Sequence, residues 1–189
     1  MRGRDKFKKY KFLINSLVKF SYILPYQLRL KLFRSFRMLQ GLKGLLIRYV
    51  LLKTIAKKCG DNVSIHPNAY IFNPQNLSVG DNVSIHPLCY IESLGEVEIG
   101  NDVSIAHGVT IMSTNHNYNQ LEVPINNQGI TKEKVIIKNN VWIGAKATIL
   151  AGVIISSGSI IGAGVLVNKN VQENHIVGGI PAKLIKIRK

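Results

Sequence analysis

From residue 59 onward, aliphatic side chains return every six positions rather than at strand or helix spacing. The segment Cys59-Gly60-Asp61-Asn62-Val63-Ser64-Ile65-His66-Pro67 recurs 20 residues later as Val79-Gly80-Asp81-Asn82-Val83-Ser84-Ile85-His86-Pro87, and a third copy begins at Ile99. After an interruption the beat resumes at Ile137, Ile143, Ile149, Ile155, Ile161 and Val167. Such a period fits a coil with three short flat faces, three six-residue units to a turn. The first residue of each unit points into a triangular core and the fifth fills a corner. Gly, Asn and Asp make the turns, because they tolerate backbone angles that β-branched residues resist. Coils stacked at the strand spacing of about 4.8 Å are then held by their neighbours above and below. The pattern predicts a mainly β fold, a parallel β-helix of about five full coils.

Residues 1–58 follow a different rule. Leu28, Leu32, Phe36 and Leu39 form one stripe at helical spacing, with Arg29, Lys31, Arg34 and Arg37 between them. Leu42, Leu45, Leu46, Tyr49 and Val50 form another, with Lys43 and Arg48 off its centre. Pro25, Gly41 and Gly44 punctuate the segment into two or three short helices.

Charge sharpens the division. The 189 residues carry a net charge of +15. Residues 1–58 hold 16 Lys and Arg against one acid, Asp5, whereas 59–189 hold nine of each sign. The chain therefore reads as a basic amphipathic helical arm, 1–58, joined to a neutral β-helix domain, 59–189. Cationic amphipathic helices with aromatics suit the interface of an anionic bilayer, where apolar burial and charge attraction add. A helical cap packed on the main domain with its Lys and Arg solvated is the second reading. No nucleic acid is expected as a partner, because Leu and Phe stripes have nothing to bury against a phosphate backbone. Asn15, Ser16 and Lys19 interrupt what would be the apolar core of a signal peptide.

Hydrophobic residues make up 46% of the chain and mean hydropathy is +0.11, which excludes a disordered polymer. No apolar run reaches the roughly 18–20 residues of a spanning helix, so no transmembrane segment is expected. The two cysteines lack a CxxC spacing, which points to a reducing, intracellular setting. Cys59 starts a repeat unit and Cys89 is fifth in one, so both are expected as buried free thiols facing the core.

The beat stops at Ser113-Thr114-Asn115-His116, where a polar loop, 115–134, leaves the helix with Pro124 and paired Asn126-Asn127. Functional groups favour such loops on rigid scaffolds. His116 stands on this loop, where a lone histidine is by itself a weak clue, either a general base, since an imidazole can take up a proton near neutrality, or a surface residue. His66 and His86 are second in equivalent units of adjacent coils and are expected to stack on one outward face. His107 is third in its unit, out of register with that column, so the three make no evident metal site and no metal is expected. His107 and His175 read as surface residues.

With Trp142-Ile143-Gly144-Ala145 and Gly178-Gly179-Ile180-Pro181-Ala182-Lys183 added, residues 59–187 resemble the hexapeptide-repeat acyltransferases. The likeness is greatest to the maltose/galactoside O-acetyltransferase group and to members that acetylate bacterial surface polysaccharides. The resemblance implies a left-handed parallel β-helix, a homotrimer with active sites between adjacent prisms, and acetyl-CoA as co-substrate in the groove. It puts His116 at the family's catalytic histidine. Attack is expected to be direct, since no Cys or Ser is evidently placed as a covalent nucleophile. The imidazolium would then protonate the departing thiolate. Asn115 and Trp142 are expected beside the acceptor. His86 stands where related sugar acetyltransferases carry an acceptor-binding Asn, and it either lines the sugar pocket or covers the prism. Ala145 and Ala163 stand where main-chain groups hold the pantetheine arm, and Asn168 and Lys169 stand near adenine and phosphates. Lys183 and Lys186 either meet CoA phosphates as point charges or belong to a solvated tail.

The expected function is acetyl-CoA-dependent O-acetylation of a sugar hydroxyl on a bacterial surface polysaccharide or its lipid-linked or nucleotide-sugar precursor. The basic arm tips the acceptor toward something membrane-bound, and the location toward a cytoplasmic protein peripheral to the inner face of the plasma membrane. Two alternatives stay open: an amino-sugar N-acetyltransferase, and a non-catalytic β-helix scaffold.

Overall fold

In the computed structural model, which describes residues 3–189, the chain from Lys58 onward winds into the three-faced parallel β-helix that the six-residue beat predicts. The first face stacks Lys58–Cys59, Leu77–Val79, Val97–Ile99, Val135–Ile137 and Ile154–Ile155. The second stacks Ser64–Ile65, Ser84–Ile85, Ser104–Ile105, Trp142–Ile143, Ile160–Ile161 and His175–Gly178. The third stacks Tyr70–Phe72, Tyr90–Glu92, Thr110–Met112, Thr148–Ile149 and Leu166–Val167. Register is regular along each face; Cys59, Val79, Ile99, Ile137 and Ile155 lie one above another. Val171 adds a bridge beyond Ile155. Five coils are therefore complete and a sixth is partial. Lys183–Ile187 then folds back antiparallel on His175–Gly178 as the last strand of the second face.

Strands of two or three residues have no stability of their own, so the stack must hold them. Ile65, Ile85, Ile105, Ile143 and Ile161 supply it on the second face, each with no exposed surface. Burying one such side chain is worth about 1.5–3 kcal/mol. At the corner between the first and second faces, Asn62, Asn82, Asp102, Asn140 and Asn174 adopt left-handed backbone, φ 55° to 59°. Gly80 just before this corner is needed for space. A Cβ there would lie 2.3 Å from Asn101 Oδ1, which accepts the backbone N–H of Asp81 at 2.7 Å.

Cys89 is buried as expected, but Cys59, in the end coil, is only half-buried. Burial pushes the Cys59 thiol up to about 12 and the Cys89 thiol up to about 11. Neither is a thiolate near neutrality.

The arm forms three helices, α1 (Gly3–Ser21), α2 (Tyr26–Ser35) and α3 (Gly41–Ile55), with a 3-10 turn at Phe36–Met38. Pro25 and Gly41 separate them as expected. Gly44 does not: it lies within α3, where a Cβ would come 2.0 Å from the Leu39 carbonyl oxygen. The glycine allows close approach rather than a break. α3 covers the open end of the β-helix, burying Tyr49, Val50, Leu51, Leu52 and Ile55. This part of the arm is a cap.

The expected stripes are only partly the buried ones. On α2 the buried side chains are Arg29 and Phe33, while Leu28, Leu39 just after the 3-10 turn and, on α3, Leu42 are exposed. Arg48, expected off-centre, is 1% exposed. Its Nε donates to the Ile65 carbonyl at 2.8 Å, and its Nη1 to the Phe36 and Leu39 carbonyls at 3.0 and 2.7 Å. Arg29 donates likewise to the carbonyls of Leu24, at 3.0 Å, and Thr54. Apart from Phe36, whose carbonyl also accepts the Leu39 N–H, these are carbonyls that helix and strand ends leave without backbone donors, which is why charge is buried where periodicity asks for leucine. A polar clamp completes the cap. Asp61 accepts from Lys53 and from Lys11 of α1, each at 2.7 Å, and these lysines hold its carboxyl below the ordinary carboxylate range.

Candidate functional site

His116 is carried on a hairpin. The loop expected over 115–134 opens as two antiparallel strands, Thr114–His116 and Ile130–Lys132, with His116 opposite Ile130. The hairpin leaves the corner between the third and first faces, which in the two preceding coils holds only Asn73–Asn76 and Ser93–Glu96. Its base is braced. Glu92, on the third face, accepts the Ser113 N–H at 3.2 Å, the Thr114 hydroxyl at 3.1 Å, and the Leu94 N–H. The Glu133 N–H donates to the Ser113 carbonyl at 2.9 Å, and Asn115 Nδ2 to Glu133 Oε2 at 3.3 Å. Farther out, Thr131 Oγ1 lies 2.6 Å from Asn117 Oδ1, and Gln128 Nε2 donates to the Gln120 and Val123 carbonyls. His116 is thus exposed on a hairpin stiff at its root. Glu92 carried no sequence signal, because only the coil stacking brings it beneath residue 114.

His66 and His86 do stack on the second face, with ring centroids 4.8 Å apart and planes 20° from parallel. Burial, then the neighbouring His86 and Arg48 charges, pull the His66 imidazole below its ordinary value. Above His86 in the same column come Ala106, Gly144 and Gly162, each donating its N–H to the next coil. Beyond His86 the chain turns at Leu88, an exposed leucine at φ 63°, a backbone region that favours Gly or Asn. Among the described residues no group of three His, Cys, Asp or Glu side chains is placed to hold a metal ion.

Trp142 is exposed on the second face, opposite Ser104 in the coil below and Ile160 in the coil above. It lines an open cavity of about 380 Å³ with Asp102, Ser104, Asn140, Val141, Ile160 and Arg188. Arg188 reaches it from the C-terminal tail, where its Nη1 donates to the Gly158 carbonyl at 2.6 Å. The sequence reading missed Arg188, whose placement depends on the final strand folding back.

Ala145 and Ala163 stack directly at the corner between the second and third faces, where the Gly164 N–H donates to the Ala145 carbonyl at 2.8 Å. His107 lies one coil below in the same column, its carbonyl accepting the Lys146 N–H. Neither the Ala145 nor the Ala163 N–H is taken by a hydrogen bond among the described residues. Small side chains at a corner whose amides are not taken up by the coils fit an extended chain of alternating amide groups, such as the pantetheine arm. Asn168 and Lys169 are exposed at the end of the third face. The Ala182 N–H donates to the Leu166 carbonyl at 2.8 Å, which brings Lys183 to that same end. Lys186 lies instead beside Ile176 on the second face. Within one chain, then, the His116 hairpin leaves one edge of the prism while Trp142, His86 and the alanine corner belong to other parts of it.

A family model described as bacterial transferase hexapeptide (six repeats) matches residues 134–169. The fold is that of a maltose O-acetyltransferase from Clostridium difficile 630, with TM-score 0.76 and 26% identity over 86% of each chain. By sequence over part of its length and by fold over most of it, the chain is similar to hexapeptide-repeat acetyltransferases. The hexapeptide-repeat chain is also similar to a galactoside acetyltransferase whose structure contains coenzyme A, with TM-score 0.66 and 25% identity over 84% of this chain and 78% of that one. Among curated proteins, it is 34% identical over 85 residues to the putative lipopolysaccharide biosynthesis O-acetyl transferase WbbJ of Escherichia coli K12. That match covers 40% of this chain and 43% of the relative, so the chain spans less than half the length of that protein.

Proposed function

We propose that this hexapeptide-repeat chain is an acetyl-CoA-dependent O-acetyltransferase acting on a sugar hydroxyl of a bacterial surface polysaccharide or its lipid-linked or nucleotide-sugar precursor. The observation that carries the reading is the braced hairpin bearing His116, inserted into a β-helix that shares its fold with the maltose O-acetyltransferase. The neutral imidazole accepts the acceptor hydroxyl proton as the oxygen attacks the thioester carbonyl carbon. The carbon–sulfur bond then breaks, and the imidazolium returns the proton to the CoA thiolate. Such a base contributes roughly 10²–10⁴-fold. Raised thiols at Cys59 and Cys89 favour this direct route over a covalent cysteine intermediate.

The acetyl donor lies along the corner of Ala145 and Ala163, its pantetheine amides meeting their free N–H groups, with Asn168, Lys169 and Lys183 near the nucleotide end, while Lys186, beside Ile176, belongs to the solvated tail. His86, Asn115 and Trp142 face the acceptor. Separation of the His116 edge from the second face supports a homotrimer in which each active site is completed between two adjacent prisms. The basic arm supports a cytoplasmic location peripheral to the inner face of the plasma membrane.

The test is acetyl-CoA-dependent thiol release over a panel of sugars, amino sugars and lipid-linked oligosaccharides, with His116→Ala alongside. Release that needs a hydroxyl acceptor and disappears in the variant supports the reading. Release with amino sugars alone makes the protein an N-acetyltransferase. Absence of both turnover and acetyl-CoA binding by calorimetry leaves a scaffold.

A further inference from the structure

The helical arm splits into a part that is used and a part that is not. α3 caps the β-helix, and α1 packs on α3 through Ile14, Val18 and Ser21, with the Phe7 ring edge-on to Tyr49 at 5.5 Å. Beside that buried face, Tyr10, Leu13, Leu17 and Phe20 recur at helical spacing as a second apolar stripe, and it lies in water. Phe12 is 87% exposed, Phe20 68%, and Ile23, just past the helix end, 74%. Folded surfaces rarely leave so many large apolar groups together without a partner.

We propose that this outer face of α1, extended by Tyr22 and Ile23, is a lipid-docking surface whose partner is the anionic face of a bilayer. The stripes on α2 and α3 do not serve, because they form the cap or its margin. Charge chooses the partner. Lys8, Lys9 and Lys19 lie on the same helix, Lys11 being paired with Asp61, and Asp5 is the one acid in residues 1–58. On α2 and the turn that follows, Lys31, Arg34 and Arg37 line an open cavity of about 530 Å³ with no carboxylate in its wall. Two copies meeting through these helices would set like charges against each other, whereas anionic headgroups complement them. Among the described residues no helix is long and apolar enough to cross a membrane. α1 therefore lies in the plane of the interface, with Leu13, Leu17 and Phe20 entering the acyl boundary and Lys8, Lys9 and Lys19 staying at headgroup level. The proposal stands on the arm alone and is independent of the acetyl-transfer reading.

Co-sedimentation of the full chain with vesicles of phosphatidylcholine, with and without phosphatidylglycerol, tests it without any turnover. Wild type is expected to bind the anionic vesicles and to be released by salt. The Leu13→Gln/Phe20→Gln double variant, changed only at exposed positions, should keep the wild-type melting temperature and partition about tenfold less or weaker. A wild type that ignores anionic vesicles, or a double variant that binds them as well as wild type, overturns the proposal. A wild type without vesicle binding whose double variant changes oligomeric state makes the stripe a contact between copies instead.

Discussion

The β-helix and the arm use the same apolar residues under opposite rules. In the β-helix, an inward position is set by a count of six, and the neighbour that buries it is an almost identical coil. In the arm, burial is set by the one end of the prism that needs covering, and α3 meets it with leucines, Tyr49 and a buried arginine. A repeat carries its own context along the chain. A cap borrows its context from a surface that is distant in sequence, so helical periodicity alone misplaces its buried face.

The largest effect expected is on the catalytic side of the β-helix. His116→Ala should lower acceptor-dependent thiol release by about 10²–10⁴-fold while leaving the unfolding curve unchanged, because the side chain is exposed on its hairpin. Retained activity would move the base elsewhere, with His86 the next residue to replace.

Arg48→Met should come next and should strike the arm. The Ile65 and Leu39 carbonyls lose their donor and the Phe36 carbonyl loses one of two, a cost of about 2–3 kcal/mol. The expected pattern in hydrogen exchange is loss of protection in α2 and α3 with the middle coils still protected. Equal loss along the whole chain would show that cap and repeat unfold as one unit.

Glu92→Ala sharpens the contrast within the β-helix, because it loosens the root of the hairpin rather than the core. A misplaced catalytic group lowers kcat by about ten- to a hundredfold with little change in acetyl-CoA KM, and Glu92→Gln should recover part of it. Its one oxygen can still accept from Ser113 and Thr114, while its amide nitrogen cannot accept from Leu94. A fall in thermal stability matching the loss of kcat would make Glu92 structural only.

The smallest effect concerns the clamp between the two regions. Lys11 and Lys53 depress the Asp61 carboxyl, so the clamp stabilises the folded chain fully above the ordinary carboxyl pKa of about 3.9. That contribution is lost as pH falls through the lower folded value. Acidification below about pH 4 should loosen α1, and Asp61→Asn should remove that part of the pH dependence, as followed by proteolysis of the arm.

Much of the site was legible because it is a departure from the repeat. His116 stands where the beat stops, and the His66–His86 stack follows from equal positions in copies 20 residues apart. The alanine corner was legible only through family resemblance, since Ala145 and Ala163 are unremarkable until their coils stack. Glu92, Arg188 and the outer stripe of α1 were not legible. Each takes its meaning from a partner, or the lack of one, that no local spacing encodes.

From its residues alone, the chain specified a β-helix, its corners, its boundary with a basic arm, and the break that carries His116. Those features are periodic or compositional, and short-range sterics with nearest-neighbour stacking suffice to produce them. Folding in three dimensions decided which arm residues are buried, which carboxylate braces the hairpin, and which helix face stays in water. Those choices depend on distant carbonyls, corners and coil ends meeting, and the free energy of such contacts belongs to the assembled shape.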